Sequence, residues 1–249
     1  MKTFSIINKK GGVGKTTITV NLAYALAQSC DLRVLVIDND DQGNDSQFFQ
    51  SEEGLTLADI LIGKAGIQDA VHHTRYEGID LVASSSALLD ANVAVIKDED
   101  IVQHTILREA LAQVEVAYDV CLIDNPPTIN ASVINALVAS DDVIIVTTPD
   151  IYGIRGVSQM VEYIEAIREY NPTLRYRGCL INKFSSTPHG FRCLYMLEKI
   201  TPVFRTRIRY TKDKLEASAE ERKSIYEYSP NCGFARDLVR FLEELLKGE

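Results

Sequence analysis

Apolar residues fall along this chain in two alternating rhythms. Short continuous runs rich in Val, Ile and Leu occur at Phe4 to Ile7, Leu32 to Asp38, Ile79 to Ser84, Asp119 to Asp124, Asp142 to Thr148 and Gly178 to Lys183, and Pro202 to Phe204 adds a short last one. Between them, apolar residues recur at helical spacing over Lys15–Gln28, Asp98–Val116, Ser132–Ser140, Ile154–Tyr170, Phe191–Ile200 and Phe234–Lys247. The runs predict strands buried on both faces, and the spaced segments predict amphipathic helices. Strands alternating with helices define an α/β protein with a mostly parallel central sheet and helices on both faces. No repeat, low-complexity tract or Pro/Gly-rich linker interrupts the pattern, so residues 1–249 are expected to form a single domain. Open parallel sheets bind ligands at the carboxyl ends of their strands. The residues that close each run are therefore the ones to read for chemistry.

Composition narrows the picture. The chain is 46% hydrophobic, enough for a large core, yet has no apolar run long enough (~18 residues) to cross a membrane. Its N-terminus leads straight into a strand without a signal-peptide layout, and leaves no room for a preceding helix-turn-helix. The five cysteines form no C-x-x-C pair, which points to reduced, packed thiols and a cytoplasmic setting. A net charge of −9 argues against a globally cationic nucleic-acid binder. One segment stands apart: Lys199, Arg205, Arg207, Arg209, Lys212 and Lys214 lie close together with Asp213 the only acid among them.

The most informative segment is Asn8-Lys9-Lys10-Gly11-Gly12-Val13-Gly14-Lys15-Thr16-Thr17, between the first strand and the first helix. Strand, Gly-rich turn, Gly-Lys-Thr, helix is the context of a phosphate-binding loop. Glycines let backbone N–H groups close around a polyphosphate, and the helix N-terminus adds donors and partial positive charge. Gly11, Gly12, Val13, Gly14, Lys15, Thr16 and Thr17 are the expected phosphate contacts. Lys15 would reach the β- and γ-phosphates, and the Thr16 hydroxyl would ligate Mg²⁺.

Lys9 stands where the common loop has its first Gly, and Lys10 is a second lysine ahead of Lys15. In this the chain resembles the deviant Walker ATPases of the ParA/MinD group, with a P-loop NTPase fold. The resemblance implies that Lys10 reaches the nucleotide of a partner subunit. Val36-Ile37-Asp38-Asn39-Asp40-Asp41-Gln42-Gly43-Asn44 resembles the family's switch I segment, and Tyr118 to Thr128 its Walker B segment. By that resemblance Asp40 orients the attacking water, Asp38 lies beside the Mg²⁺ shell, and Asp124 holds a Mg²⁺-bound water together with Thr16. Asp41 departs from the family's usual Pro, and Asn125 occupies a variable position with no role assigned. Asn182 matches an Asn that hydrogen-bonds the adenine edge, although an Asn closing a strand in a turn is equally ordinary. Pro149-Asp150, after the preceding strand, is expected to line the base pocket.

The tail Lys223 to Pro230 resembles the ParA/Soj ending rather than the basic, membrane-binding end of MinD. Glu243, Glu244 and Glu249 on the last helix oppose docking on anionic lipid, and its stripe Phe234, Leu238, Leu242, Leu245 reads as core packing. The basic segment has two readings. Arg205, Arg207, Arg209, Lys212 and Lys214 contact DNA phosphates, as the family's ATP-bound dimers do without sequence preference, or they belong to a solvated loop paired with the many acids. The resemblance thus implies a Mg²⁺-dependent ATPase, slow without its partner. It would form an ATP-dependent homodimer, bind non-specific DNA at the nucleoid, and position a plasmid, chromosome or other cargo with a stimulating adaptor protein, without membrane binding. A positioning ATPase acting on a membrane or protein scaffold is the alternative. A reductase or ligase of the same fold, or an interaction module with a dead ATP site, is a more distant one.

Overall fold

A computed structural model describes residues 1–51, 54–98 and 103–247. In chain order it comprises β1 (Lys2–Ile7), α1 (Lys15–Cys30), β2 (Val34–Asp38), α2 (Asn44–Phe49), α3 (Leu57–Leu61), α4 (Ile67–Ala70), β3 (Val71–His73), β4 (Ile79–Val82), α5 (Ala87–Lys97) and α6 (Ile106–Ala112). There follow β5 (Val120–Asp124), α7 (Ala131–Ala139), β6 (Asp142–Thr147), α8 (Ile151–Ile167), β7 (Arg175–Phe184), α9 (Pro188–Glu198), β8 (Val203–Arg209), α10 (Lys212–Glu220), α11 (Ile225–Tyr228) and α12 (Gly233–Lys247). The strands form one sheet in the order β3-β4-β2-β5-β1-β6-β7-β8, parallel except for the antiparallel β3–β4 pair.

Alternation along the central strands divides the core. Ile6, Val36 and Leu122 face a cluster built by α1 and α12. Leu35, Ile37, Cys121 and Ile123 face α3, α5 and α6, and Ile7, Val143, Ile145 and Ile181 face α7, α8 and α9. Helices therefore cover both faces, as a parallel sheet requires. β1 lies between β5 and β6, so the chain leaves the sheet centre in opposite directions on its two sides. The loop after β1 sits at this switch point, and Asp38 pairs in register with Asp124 beside it.

Several boundaries differ from the sequence reading. The helix expected over 98–116 is replaced by α5, which ends at Lys97, and the short α6; positions 99–102 and Glu249 lie outside the described residues. Asp98 closes α5 in an extended conformation, since an acid at a helix C-terminus opposes the dipole. α8 starts at Ile151 because Asp150 caps it, accepting from the Gly153 N–H at 2.9 Å. α9 starts at Pro188 behind Thr187, whose hydroxyl accepts from Gly190 N–H.

The largest correction concerns the basic segment. It is not a loop: β8 runs from Val203 to Arg209 and carries Arg205, Arg207 and Arg209 at alternate positions, while Phe204 and Ile208 enter the core. This edge strand is shielded by carboxylates of α12. Glu244 accepts from the backbone N–H of Arg205 and Thr206 at 2.7 and 2.9 Å, and Asp237 accepts from that of Arg209 at 3.0 Å. The expected apolar stripe of α12 is buried, with Phe241 edge-on to Phe204.

Candidate functional site: a phosphate-binding loop with a carboxylate-lined floor

The loop after β1 is held open by its neighbours. Asn8 is fully buried; its amide donates to Val146 O at 2.7 Å and its carbonyl oxygen accepts from Lys10 N–H at 3.0 Å. Gly14 has φ 95° and begins α1 in the left-handed region, where a Cβ would lie 2.3 Å from the Asn182 amide nitrogen. Only glycine fits there. Asn182 donates to Val13 O at 2.8 Å and its oxygen accepts from Lys183 N–H, while Lys183 Nζ donates to Gly12 O at 2.8 Å. The end of β7 thus braces the loop, and both polar ends of Asn182 are engaged in doing so.

Lys15 and Thr16 open α1, where free N–H groups face the cavity. Thr16 Oγ1 donates to Asp124 Oδ2 at 2.5 Å, which places hydroxyl and carboxylate side by side at the end of β5. Asp38, at the end of β2, accepts from the N–H and hydroxyl of Ser46 at 2.9 and 2.7 Å and from Asp40 N–H at 3.2 Å. Asp40 is fixed by Gln42 N–H at 3.1 Å and lines the cavity. That cavity, about 490 Å³, is bounded by Gly11, Gly12, Gly14, Lys15, Thr16 and Thr17 on one side. Asp40, Asp41, Gln42 and Asn44, then Pro126 to Thr128, and finally Asn182, Lys183 and Leu215 complete it.

Burial dominates the electrostatics of the floor. It pushes Asp38 up to about 6 against three hydrogen bonds. It lifts Asp124 to about 7, against Lys15 and the Thr16 hydroxyl. Asp45, in the first turn of α2, is raised most strongly, first by burial and then by the charges of Asp124, Asp38 and Asp40. Both of its oxygens lack a hydrogen-bond partner. A hard cation fits this donor set, which is oxygen only. Among the described residues no three His, Cys, Asp or Glu side chains converge as direct ligands.

Lys10 points elsewhere. Its Nζ donates to Asp150 Oδ2 at 2.6 Å and to Thr148 Oγ1 at 2.9 Å, beyond the end of β6. Burial alone would raise the Asp150 carboxyl, but the bonds from Lys10, Thr148 and Gly153 N–H overcome it and hold it at about 2. Pro149 is not among the residues lining the cavity.

The structure thus brings together Gly11 to Thr17, Asp38, Asp40, Asp124 and Asn182. It sets Lys10 aside, and it disperses the basic residues. Arg209 is bound to the buried Asp237 through Nε and a terminal nitrogen at 2.7 and 2.6 Å. Lys212 pairs with Glu216 and Lys214 donates to Ser229. Arg207 lies over the Phe184 ring. What forms instead is a pocket of about 440 Å³ with Arg207, Arg209, Arg236 and Arg240 around Asp237. Arg236 and Arg240 escaped the sequence reading because they sit on a helix whose apolar stripe dominates its pattern. Asn125 also has a role. It accepts from Asn39 at 2.9 Å and donates back to the ends of β1 and β5, fixing the strand ends under the site. The tail segment clamps α1: Ile225 N–H donates to Asn21 Oδ1 at 2.7 Å, and Tyr226 stacks on Tyr24.

The model of the AAA domain family matches residues 1–176, and the chain belongs to that family. It is a ParA-type P-loop ATPase. It is 34% identical to the chromosome partitioning protein ParA of Caulobacter vibrioides over 190 residues, 74% of this chain and 70% of that protein. It is 30% identical to the sporulation initiation inhibitor protein Soj of Bacillus subtilis over 253 residues, 98% of each. An uncharacterized protein of Pseudomonas putida is 40% identical over 183 residues, 72% of this chain and 68% of that one. Among solved structures, cobyrinic acid a,c-diamide synthase from Mycobacterium smegmatis with bound ADP and magnesium superposes with a TM-score of 0.86 at 26% identity. It covers 99% of this chain and 94% of its own. McdA from Cyanothece gives 0.88 at 21% identity, covering 100% and 99%, and shows the same fold.

Proposed function

We propose that the protein is a Mg²⁺-dependent ATPase whose nucleotide cycle controls association of two copies and, through that, the positioning or segregation of a cargo. The observation that carries this reading is the assembled floor of the cavity. Lys15, the Thr16–Asp124 pair, and Asp40 on the opposite wall supply charge compensation, a cation site and a water-orienting carboxylate in one space. The Mycobacterium synthase carries ADP and magnesium at a likeness of 26% across nearly the whole chain, which supports the same ligands here.

In this reading the loop N–H groups and Lys15 bind the β- and γ-phosphates, and Thr16 holds Mg²⁺ with Asp38 and Asp124 behind it. Mg²⁺ neutralises charge that develops on the phosphate oxygens. Asp40 orients the attacking water in line with the γ-phosphate. Asn182 shapes the loop from behind. Lys10 would leave Asp150 and enter the site of a second copy. Ile151 and Tyr152, exposed just beyond Asp150, give that face apolar surface for such contact. The likeness to a chromosome partitioning protein supports a chromosome or plasmid as the cargo; DNA would be the scaffold and an adaptor protein the trigger of hydrolysis. The arginine pocket between β8 and α12 is the cationic surface best formed to meet phosphates.

The site assignment is checked by calorimetry. Lys15→Ala removes the phosphate counter-charge and should abolish tight Mg-ATP binding in a folded protein. Unchanged ATP affinity would contradict it.

A further inference from the structure

The carboxylate of Asp45 has no function in the site as assigned above, yet the fold buries it with both oxygens unpartnered. Gly43, at φ 62°, turns the chain so that α2 starts directly above the carboxyl end of β2. Ser46 is tied to Asp38 by two hydrogen bonds, which fixes the first turn of α2 against the floor. Asp45 is 1% exposed. It lies one helical turn before Phe49, which packs in the same cluster as Ile18 and Leu22 of α1. Asp45 is thus turned inward toward α1, whose first residues are Lys15 and Thr16. Neither carboxylate oxygen meets a donor, although the neighbouring Asp38 and Asp124 both do.

A buried carboxylate without a donor is costly, and proteins keep one where a ligand satisfies it. Lys15 is the cation whose charge opposes the shift, and it also lines the cavity. The missing donors are supplied naturally by water bound to a divalent ion. Such an ion retains several waters when few side chains ligate it directly.

We propose that Asp45 is a third carboxylate behind the cation, beside Asp38 and Asp124, accepting hydrogen bonds from water on the divalent ion that Thr16 ligates and so tightening the hold on that ion. Asp45 is a positioning residue for the metal shell, and this role rests on the nucleotide-site reading above. Loss of such outer-shell partners weakens metal binding by about 10–100-fold.

The test is a Mn²⁺ titration followed by electron paramagnetic resonance, with ADP saturating, on wild type, Asp45→Asn and Asp45→Ser. The wild type should bind one Mn²⁺ with ADP, and both variants should bind it at least about ten-fold more weakly. ADP affinity in EDTA should be unchanged or higher, since a negative charge near the phosphates is gone. Melting temperatures in EDTA should not fall for Asp45→Asn, while the upward shift caused by Mn-ADP should shrink. Equal Mn²⁺ affinity in a folded variant and wild type overturns the proposal. So does an equal loss of melting temperature with and without metal, which marks a packing role only. Should wild type itself fail to bind Mn²⁺ with ADP, the nucleotide-site reading falls first and Asp45 falls with it.

Discussion

Single side chains at the end of the sheet set how this protein responds to pH. Asp38 is held at about 6 and Asp124 at about 7, above the ordinary carboxylate value of 3.8. Asp45 shifts in the same direction. A raised folded-state value means that the folded chain keeps protons the unfolded chain has released. Stability from these groups is present at low pH and is lost as pH rises through about 6 and 7. Asp150, held at about 2, has the opposite sign, but its contribution changes only below about pH 4. The ligand-free protein should therefore have a lower urea midpoint at pH 7.5 than at pH 5 in EDTA, and Mg-ADP should reduce the difference. A midpoint that climbs with pH across that window would count against the buried, uncompensated floor. Much of this floor was legible in sequence, because Asp38 and Asp124 close apolar runs and a strand end is where an acid meets a ligand. Asp45 and Asp150 were not. Nothing in Asn44-Asp45-Ser46 says that the middle residue turns inward, and Asp150 is expected with Pro149 beside the base, whereas it holds Lys10 and caps α8.

At the scale of elements, the start of α8 is tied to the phosphate-binding loop. Asp150 caps α8 and also holds Lys10, so one carboxylate joins a helix terminus to the loop lysine. Asn caps a helix about as well as Asp but carries no charge. Asp150→Asn should keep α8 intact and weaken the hold on Lys10. If Lys10 acts in a second copy, the variant should associate at lower protein concentration with ATP than wild type, by about several-fold, as a concentration series in sedimentation would show. Unchanged association would mean that the Lys10–Asp150 pair has no bearing on dimer formation. The strands that flank the site were read correctly from their continuous apolar runs, whereas β8 was truncated. Its Val-Phe-Arg-Thr-Arg-Ile-Arg sequence alternates, and an alternating edge strand whose outward residues are arginines looks like a charged loop. The helices α2 to α4 are absent from the sequence reading because helices of four to six residues carry too few apolar repeats to register. Their burial comes from packing on β2 and β4 and on one another.

For the whole molecule, the acidic chain and its arginine-lined pocket make a contrast. With a net charge of −9, affinity for DNA has to come from a local surface. In the proposed reading Arg207 and Arg236 would provide it, whereas Arg209 and Arg240 both pair with Asp237. Replacing Arg207 and Arg236 with Glu should remove ATP-dependent binding to random duplex DNA and leave ATP affinity unchanged. Wild-type binding should fade with salt at about 0.9 log units per phosphate contact. Failure of wild type to bind at low salt would favour a protein scaffold instead.

Association of two copies is the hinge on which the account turns, and it is measured most directly by sedimentation velocity of Asp40→Ala with saturating Mg-ATP. The substitution removes the carboxylate that orients water but leaves Lys15, Thr16 and Asp124 in place, so the bound nucleotide should persist. A stable dimer with ATP, reverting to monomer with ADP, is the predicted result. A protein that binds ATP and stays monomeric at every concentration would contradict the account.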